Sequence, residues 1–172
     1  MADSYGGLQF YRSEPRSILE LDSLHISKSL ARVVRKGVYE VRIDRDFEDV
    51  IRACSRRPET WISEEIVRGF VALHERGKAH SVEAYKDNEL VGGLYGVTLG
   101  GAFMGESMFA RMRDASKVCF VHLVERLRER GYVLLDCQIQ NDHLARLGAI
   151  EIPEREYLTR LKDALKLERS FV

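Results

Sequence analysis

The sequence predicts an α+β protein with a mixed β-sheet flanked by helices. Residues 79–85 and 90–99 are apolar and β-prone, and the turn-forming residues Lys86-Asp87-Asn88-Glu89 between them predict an antiparallel hairpin. Further along, apolar residues recur at helical spacing over 116–130 and lead into a strand over 132–139, so the sheet is expected to be mixed. With 172 residues, of which 45% are hydrophobic, the chain can form one domain with a substantial core.

The remaining elements follow from apolar spacing and from capping and breaking residues. Residues 1–17 contain the breakers Gly6, Gly7 and Pro15 and predict loose structure. Ser27 and Ser63 stand where helix N-caps are expected. The other predicted elements are helices over 27–35, 47–54, 63–77, 143–147 and 157–165 and strands over 38–43 and 102–108.

The charge balance argues against a chain that attracts nucleic acid over its whole surface. The sequence has 27 Lys and Arg against 27 Asp and Glu, so a nucleic-acid partner would need a local basic patch. Its three cysteines lack metal-ligand spacing and are expected to be reduced thiols. With no signal-peptide pattern and no run of about 18 apolar residues, we expect a soluble, cytoplasmic protein with no membrane partner and no metal site.

Positive charge is concentrated in the first 70 residues. The residues concerned are Lys28, Arg32, Arg35, Lys36, Arg52, Arg56, Arg57 and Arg68. A solvated surface is the usual explanation for such a run of charges. A phosphate-binding surface is the alternative, because contacts to phosphate require clustered Arg and Lys side chains and no further pattern.

Polar side chains follow the apolar segment 132–135 directly and predict a cleft at the end of this strand. Asp136 and Gln138 stand at the strand end, and Asn141 lies just beyond it. The crevice beyond a strand's carboxyl end is the usual ligand site in open α/β sheets. A polar strand end that satisfies loop backbone groups is the equally simple alternative.

Glu106 faces the same cleft if residues 102–108 form the neighbouring strand. Its carboxylate could then orient an amine or a ribose hydroxyl, or act as a general base. Gln138 could accept a hydrogen bond from an attacking amine, and Asp136 could fix the orientation of its amide.

Apolar residues around this cleft predict either a side-chain pocket or ordinary core, which periodicity cannot separate. The candidates are Trp61, Leu94, Met108, Phe109, Leu123, Leu127 and Leu135. For Trp61, a core position is favoured over stacking on a ligand. The segment His80-Ser81-Val82-Glu83 predicts no catalytic triad, because His80 and Ser81 face opposite ways on a strand.

In the order and spacing of its motifs, the chain resembles leucyl/phenylalanyl-tRNA–protein transferases over about residues 10–165. The matching segments are Thr60-Trp61-Ile62, residues 73–83, Leu90-Val91-Gly92-Gly93-Leu94-Tyr95-Gly96-Val97, Gly105-Glu106-Ser107-Met108-Phe109, Ala115-Ser116-Lys117, Asp136-Cys137-Gln138, Asn141-Asp142-His143 and Leu147-Gly148-Ala149. The resemblance implies an acetyltransferase-like (GNAT-type) fold that works without coenzyme A or another cofactor. This sequence agrees, because no Arg/Gln-x-x-Gly-x-Gly/Ala loop precedes the helix at Ser116.

The resemblance also implies an activity and its partners. A leucyl or phenylalanyl group, or possibly a methionyl group, passes from its tRNA to the N-terminal amine of a protein that begins with Arg or Lys. The product is marked for degradation by the N-end rule pathway, and the enzyme is expected to act as a monomer. Gln138, supported by Asp136, would hold or deprotonate the amine, Glu106 would position the ester or ribose, and Asn141 is a further candidate contact.

Two departures from the family concern the N-terminal region and the pocket. The family's longer N-terminal domain, with its Gly-Gly-Asp-Leu and Phe-Pro-Trp segments, is missing, and Phe10-Tyr11-Arg12-Ser13 replaces Trp-Trp-Ser-Pro. We therefore predict a truncated N-terminal extension over 1–36 and a catalytic domain over 37–172. Leucines at 123 and 127, where some relatives are more aromatic, leave the Leu-versus-Phe preference open. The alternatives are a tRNA- or protein-binding module with impaired catalysis and an acyl-CoA N-acetyltransferase.

Overall fold

A seven-stranded mixed sheet organises the computed structural model, which describes residues 12–57 and 60–172. Its strands are β1 (Arg16–Leu19), β2 (Glu40–Ile43), β3 (Ala79–Lys86), β4 (Glu89–Leu99), β5 (Ala102–Ala110), β6 (Leu134–Gln138) and β7 (Ile150–Ile152). They lie in the order β2-β3-β4-β5-β6-β1-β7. All neighbouring pairs are antiparallel except β5 and β6, which are parallel. The predicted α+β class and mixed sheet are therefore confirmed.

Helices cover both faces of this sheet. In the described residues they are α1 (Lys28–Arg35), α2 (Phe47–Ser55), α3 (Glu64–Glu75), α4 (Ala115–Glu129), α5 (Asp142–Arg146) and α6 (Glu154–Ala164). The long helix α4 packs on one face and buries Leu123 and Phe120 against Leu94 of β4. Helices α2 and α3 pack on the other face around Tyr95. Adjacent residues of β4 thus belong to different layers, as the alternation of side chains along a strand requires.

Local sequence signals account for most of the element boundaries. Ser27 and Ser63 cap α1 and α3, accepting hydrogen bonds from the backbone N–H groups of Leu30 and Ile66. The β3–β4 hairpin turns at Asp87 and Asn88, whose φ angles are 51° and 65°. Asn and Asp tolerate this left-handed conformation better than most residues, and the predicted hairpin is confirmed.

Strand β1 differs from the sequence-based expectation. Residues 16 and 17, predicted to be loose, belong to β1, which pairs with β6 on one side and β7 on the other. The predicted N-terminal extension, residues 1–36, thus supplies an inner strand of the main sheet, while its boundary with 37–172 stays a prediction. Phe10 and Tyr11, expected to replace a Trp pair, lie outside the described residues.

Candidate active site

The predicted cleft opens where β5 and β6 part. Their pairing ends at Met104 and Asp136, beyond which the two parallel strands diverge. At the same level the β4–β5 register shifts, so that Glu106 is an extra, bulged residue of β5. A bulge redirects a side chain, and here Glu106 lines the resulting cavity of about 310 Å³ together with Gln138.

Gln138 is held at three points around this cavity. Its side-chain Nε2 donates to the carbonyl oxygen of Gly105 (2.9 Å) and to a carboxylate oxygen of Glu106 (3.1 Å). Its backbone N–H donates to Asp136, and its backbone carbonyl accepts from the Ser13 hydroxyl. Both amide hydrogens are therefore used, which leaves the side-chain oxygen as the group that can accept a hydrogen bond from a ligand.

Asp136 is buried below this glutamine, and its carboxylate is fully engaged. It accepts from the guanidinium of Arg16, from the hydroxyl of Tyr157 (2.7 Å) and from the backbone N–H of Gln138 (2.8 Å). The expectation that Asp136 orients the Gln138 side-chain amide is wrong for a direct contact, because Asp136 binds only the backbone N–H of Gln138. Glu106 and Gly105 orient the amide, because the left-handed backbone of Gln138 (φ 65°) turns it toward β5.

Burial sets the protonation of the other polar groups in the cleft. It raises the pKa of Glu106 above the usual glutamate range; the hydrogen bond from Gln138 opposes this rise and the charge of Asp136 adds to it. Burial, and then the charge of Asp136, raise the pKa of Cys137 to about 12. The Cys137 thiol is therefore neutral at pH 7 and is not a nucleophile.

The cavity wall contains most of the predicted pocket residues. Trp61, Leu94, Met108, Leu123, Leu135 and Asn141 line it. Phe109 does not, because it points to the opposite face of β5 from Met108 and packs near Val50 of α2. Leu127 lies one helical turn beyond Leu123 and is buried in the core under α4.

Several lining residues were missed by the sequence-based prediction. They include Arg57, Tyr95, Phe120, His143 and Leu144. Phe120 precedes Leu123 by three residues on α4, so helical periodicity could have found it. Tyr95 had no such signal, since it belongs to the opposite face of β4 from Leu94.

Two unsatisfied polar atoms also belong to residues of this wall. Among the described residues, the Tyr95 hydroxyl, the Tyr132 hydroxyl and Nε2 of His143 are buried without a hydrogen-bond partner, and Tyr95 and His143 line the cavity. Burial lowers the pKa of His143, and the positive charges of Lys117 and Arg146 lower it further. A neutral imidazole therefore faces the cavity at pH 7.

Trp61 and Asn141 each have a structural contact in addition to their place in the wall. Trp61 packs against the buried residues under α2 and α3, which agrees with a core position, and stacking on a ligand in the cavity stays a prediction. The side-chain oxygen of Asn141 accepts from the backbone N–H of Leu144 and caps α5 (3.0 Å). His80 bonds Asp44 and Ser81 bonds Glu83, so the rejected triad is indeed absent at these residues.

The basic residues of the first 70 differ in their surroundings, and Arg57, for example, donates to the carbonyl oxygen of Met108 and lines the cavity. Arg52 pairs with Glu48 and Glu64 on the surface. By contrast, four basic residues in α1 or directly after it are exposed and form no ion pair with any described residue. They are Lys28, Arg32, Arg35 and Lys36. A surface with four uncompensated charges fits the phosphate-binding alternative.

The described residues offer no site for a metal ion and no membrane-spanning helix. They contain no group of three or more His, Cys, Asp or Glu side chains that could hold a metal. No helix among them has the length and apolarity needed to cross a bilayer.

Comparison with known families identifies the chain. The family model for leucyl/phenylalanyl-tRNA protein transferase matches residues 18–162, which include Glu106, Asp136 and Gln138. This chain belongs to that family. The resemblance found in the sequence motifs is thereby confirmed.

Individual relatives agree with this assignment. A leucyl/phenylalanyl-tRNA–protein transferase of Rubrobacter xylanophilus is 70% identical over 172 residues, covering 99% of this chain and 90% of that protein. The transferase of Gloeobacter violaceus is 56% identical, with 99% and 89% covered. Among solved structures, a conserved Staphylococcus epidermidis protein of unknown function shares the fold, with a TM-score of 0.54 at 11% identity over 80% of this chain and 56% of that one.

Proposed function

We propose that this protein transfers a leucyl or phenylalanyl group, or a methionyl group, from charged tRNA to the N-terminal amine of an acceptor protein. The observation that carries the proposal is the geometry of Gln138. Its amide hydrogens are donated to Gly105 and Glu106, so its side-chain oxygen is left to accept from an incoming amine beside an apolar cavity. Hydrogen bonding to this oxygen aligns the amine for attack.

The chemistry requires little covalent machinery, because an aminoacyl ester is already activated. The amine nitrogen forms a bond to the ester carbon, the bond from that carbon to the ribose oxygen breaks, and the amine proton ends on the released ribose hydroxyl. Glu106 lies next to Gln138 and can relay this proton. Holding the two reactants together supplies the larger share of the rate.

The apolar wall explains which amino acids would be accepted. Leu94, Met108 and Leu135 from the sheet face Phe120 and Leu123 from α4 across the cavity. Unbranched or γ-branched side chains such as those of Leu, Met and Phe fit such a wall, whereas branching at Cβ adds bulk next to the reacting ester. Each misfit methylene is worth about 1–3 kcal/mol in discrimination.

The tRNA is proposed to lie against α1, whose cations supply charge without sequence preference. Acceptors that begin with Arg or Lys, their degradation through the N-end rule pathway, action as a monomer and a cytoplasmic location come from the family resemblance and are part of the same proposal.

An acyl-CoA acetyltransferase would bind pyrophosphate at the start of the helix equivalent to α4. Here that position is occupied by Asp114, which has a left-handed backbone (φ 63°) and a carboxylate bonded to Lys117. The segment 109–114 before α4 also lacks the glycines that let backbone N–H groups approach a pyrophosphate, which disfavours the acyl-CoA alternative.

A transfer assay with tRNA charged with labelled leucine and an acceptor beginning with Arg tests the proposal. Label should appear on the acceptor, and Gln138→Ala should lower the transfer rate far more than it weakens binding of charged tRNA. Gln140→Ala is the matched control, since Gln140 bonds Ser17 and Ala149 outside the cavity wall. Binding without transfer would favour an impaired binding module, and acetyl transfer from acetyl-CoA would favour the acetyltransferase.

A further inference from the structure

We propose that Tyr157 and Arg16 are positioning residues, which hold Gln138 in its reactive geometry by fixing Asp136. The inference rests on the proposed function for the meaning of Gln138. Through these two residues, helix α6 and strand β1 contribute to the reaction although neither residue belongs to the cavity wall.

Both carboxylate oxygens of Asp136 are saturated with hydrogen bonds. Oδ1 accepts from Arg16 Nε (3.0 Å) and from the Gln138 backbone N–H (2.8 Å). Oδ2 accepts from Arg16 Nη2 (2.7 Å) and from the Tyr157 hydroxyl (2.7 Å). The acceptor positions of Asp136 are thus already occupied by protein donors, so Asp136 acts on the reaction through the groups that it holds.

Asp136 and Arg16 together restrain the Gln138 backbone on both sides, at its N–H and at its carbonyl. Asp136 binds the N–H of Gln138, and Arg16 also donates to the Ser13 hydroxyl, which in turn donates to the Gln138 carbonyl. Gln138 needs this restraint, because its φ of 65° lies in the left-handed region that residues with a side chain rarely adopt.

Tyr157 contacts Arg16 as well as Asp136. The guanidinium of Arg16 lies 5.2 Å from the centre of the Tyr157 ring, so the same side chain stacks on the cation and bonds the anion. Neither residue is part of the cavity wall, so their effect on a ligand in the cavity passes through Asp136 and Gln138.

The test compares Tyr157→Phe with Tyr39→Phe. The Tyr39 hydroxyl donates to the Arg113 carbonyl, also at 2.7 Å, so both variants lose one hydroxyl and one hydrogen bond of the same length. We expect Tyr157→Phe to lower kcat by about tenfold or more, as small misplacements of reacting groups do, with KM for charged tRNA unchanged. Tyr39→Phe should keep the wild-type kcat.

Two further readouts separate positioning from a merely structural contribution. In a Gln138→Ala background Tyr157→Phe should have no additional effect on kcat. The Gln138 side-chain amide signal in a ¹H–¹⁵N spectrum, assigned by its loss in Gln138→Ala, should shift in Tyr157→Phe and in Arg16→Lys but not in Tyr39→Phe.

The inference is overturned by an unchanged amide signal, by equal kcat values in the two tyrosine variants, or by a further fall of kcat in the Gln138→Ala background. If the wild-type protein itself transfers no leucine, the proposed function fails, and the amide signal alone then decides whether Tyr157 and Arg16 position Gln138.

Discussion

Replacing Arg16 by Met should destabilise the protein more than any substitution of an exposed cation. Arg16 and Asp136 form a partly buried ion pair, with side chains 21% and 1% exposed. Removing one partner of such a pair costs about 3–5 kcal/mol, because the other charge stays buried without compensation. Tyr157 and the Gln138 N–H still donate to Asp136 in the variant, and the site is partly open to water. We therefore expect the lower end of that range, about 3 kcal/mol.

Urea unfolding of the two proteins measures this loss. At an unchanged m-value the midpoint should fall, and a thermal scan should show a drop of roughly 6–12 °C for a chain of this size. A double-mutant cycle with Asp136→Asn isolates the pair. The summed losses of stability in the two single variants should exceed the loss in the double variant by about 2 kcal/mol, because Asp136→Asn removes the carboxylate charge that Arg16→Met leaves unpaired.

Arg52→Met is the matched control, because Arg52 also binds carboxylates, those of Glu48 and Glu64, but on the surface. Its midpoint should stay close to that of the wild type, as is usual for exposed pairs. A loss below about 1 kcal/mol for Arg16→Met, or additive losses in the cycle, would refute the view that Asp136 depends on this guanidinium.

Three other outcomes follow from the cavity and its surroundings. Dividing kcat/KM of the wild type by that of Glu106→Gln at each pH removes the effect of titrating the acceptor amine, which both proteins share. This ratio should fall with decreasing pH through a pKa above the usual glutamate value of about 4.3, and a ratio that does not change with pH would contradict a function for the Glu106 carboxylate. An alanine Cβ at position 92 would lie 2.5 Å from the Cβ of Ala115, so Gly92→Ala should lower the free energy of unfolding in urea by about 1–3 kcal/mol. Gly69 has open space around it, so Gly69→Ala should raise the free energy of unfolding by about 0.5–1 kcal/mol. Because the pKa of His143 is lowered in the native state, the unfolded state binds more protons as pH falls below about 6.5; the native protein should lose stability there, and His143→Gln should lose less.

Local patterns carried the prediction of most elements. The helices at Ser27 and Ser63 and the hairpin at Asp87 are encoded by neighbouring residues, through caps and turn chemistry. Strands β1 and β7 were not predicted, because each has only three or four residues, lacks the longer alternation over 38–43 that predicted β2, and is stabilised by partners distant in the sequence. Short segments of this kind have no periodicity to distinguish them from loops.

The sequence predicted which residues belong to the candidate site better than it predicted the hydrogen bonds between them. Neighbouring strands were enough to place Glu106 beside Gln138, and the structure brings the two into hydrogen-bond contact. Which group orients the amide depends on a bulge and a left-handed residue, and neither has a signature in the side chains involved. Arg16 and Tyr157 reach Asp136 from opposite ends of the chain, beyond the range of any local pattern.

The position of β1 between β6 and β7 has a consequence for synthesis. Arg16 leaves the ribosome first, yet Asp136 follows it by 120 residues. At about 5–20 residues per second, β1 waits roughly 6–25 s for its partner strand. During that interval Ile18 and Leu19, buried in the finished sheet, remain on an unpaired edge and are exposed to aggregation or to capture by chaperones. The site therefore cannot assemble before Asp136 and Tyr157 have both been synthesised, and nascent chains that end before Asp136 should be inactive and prone to self-association.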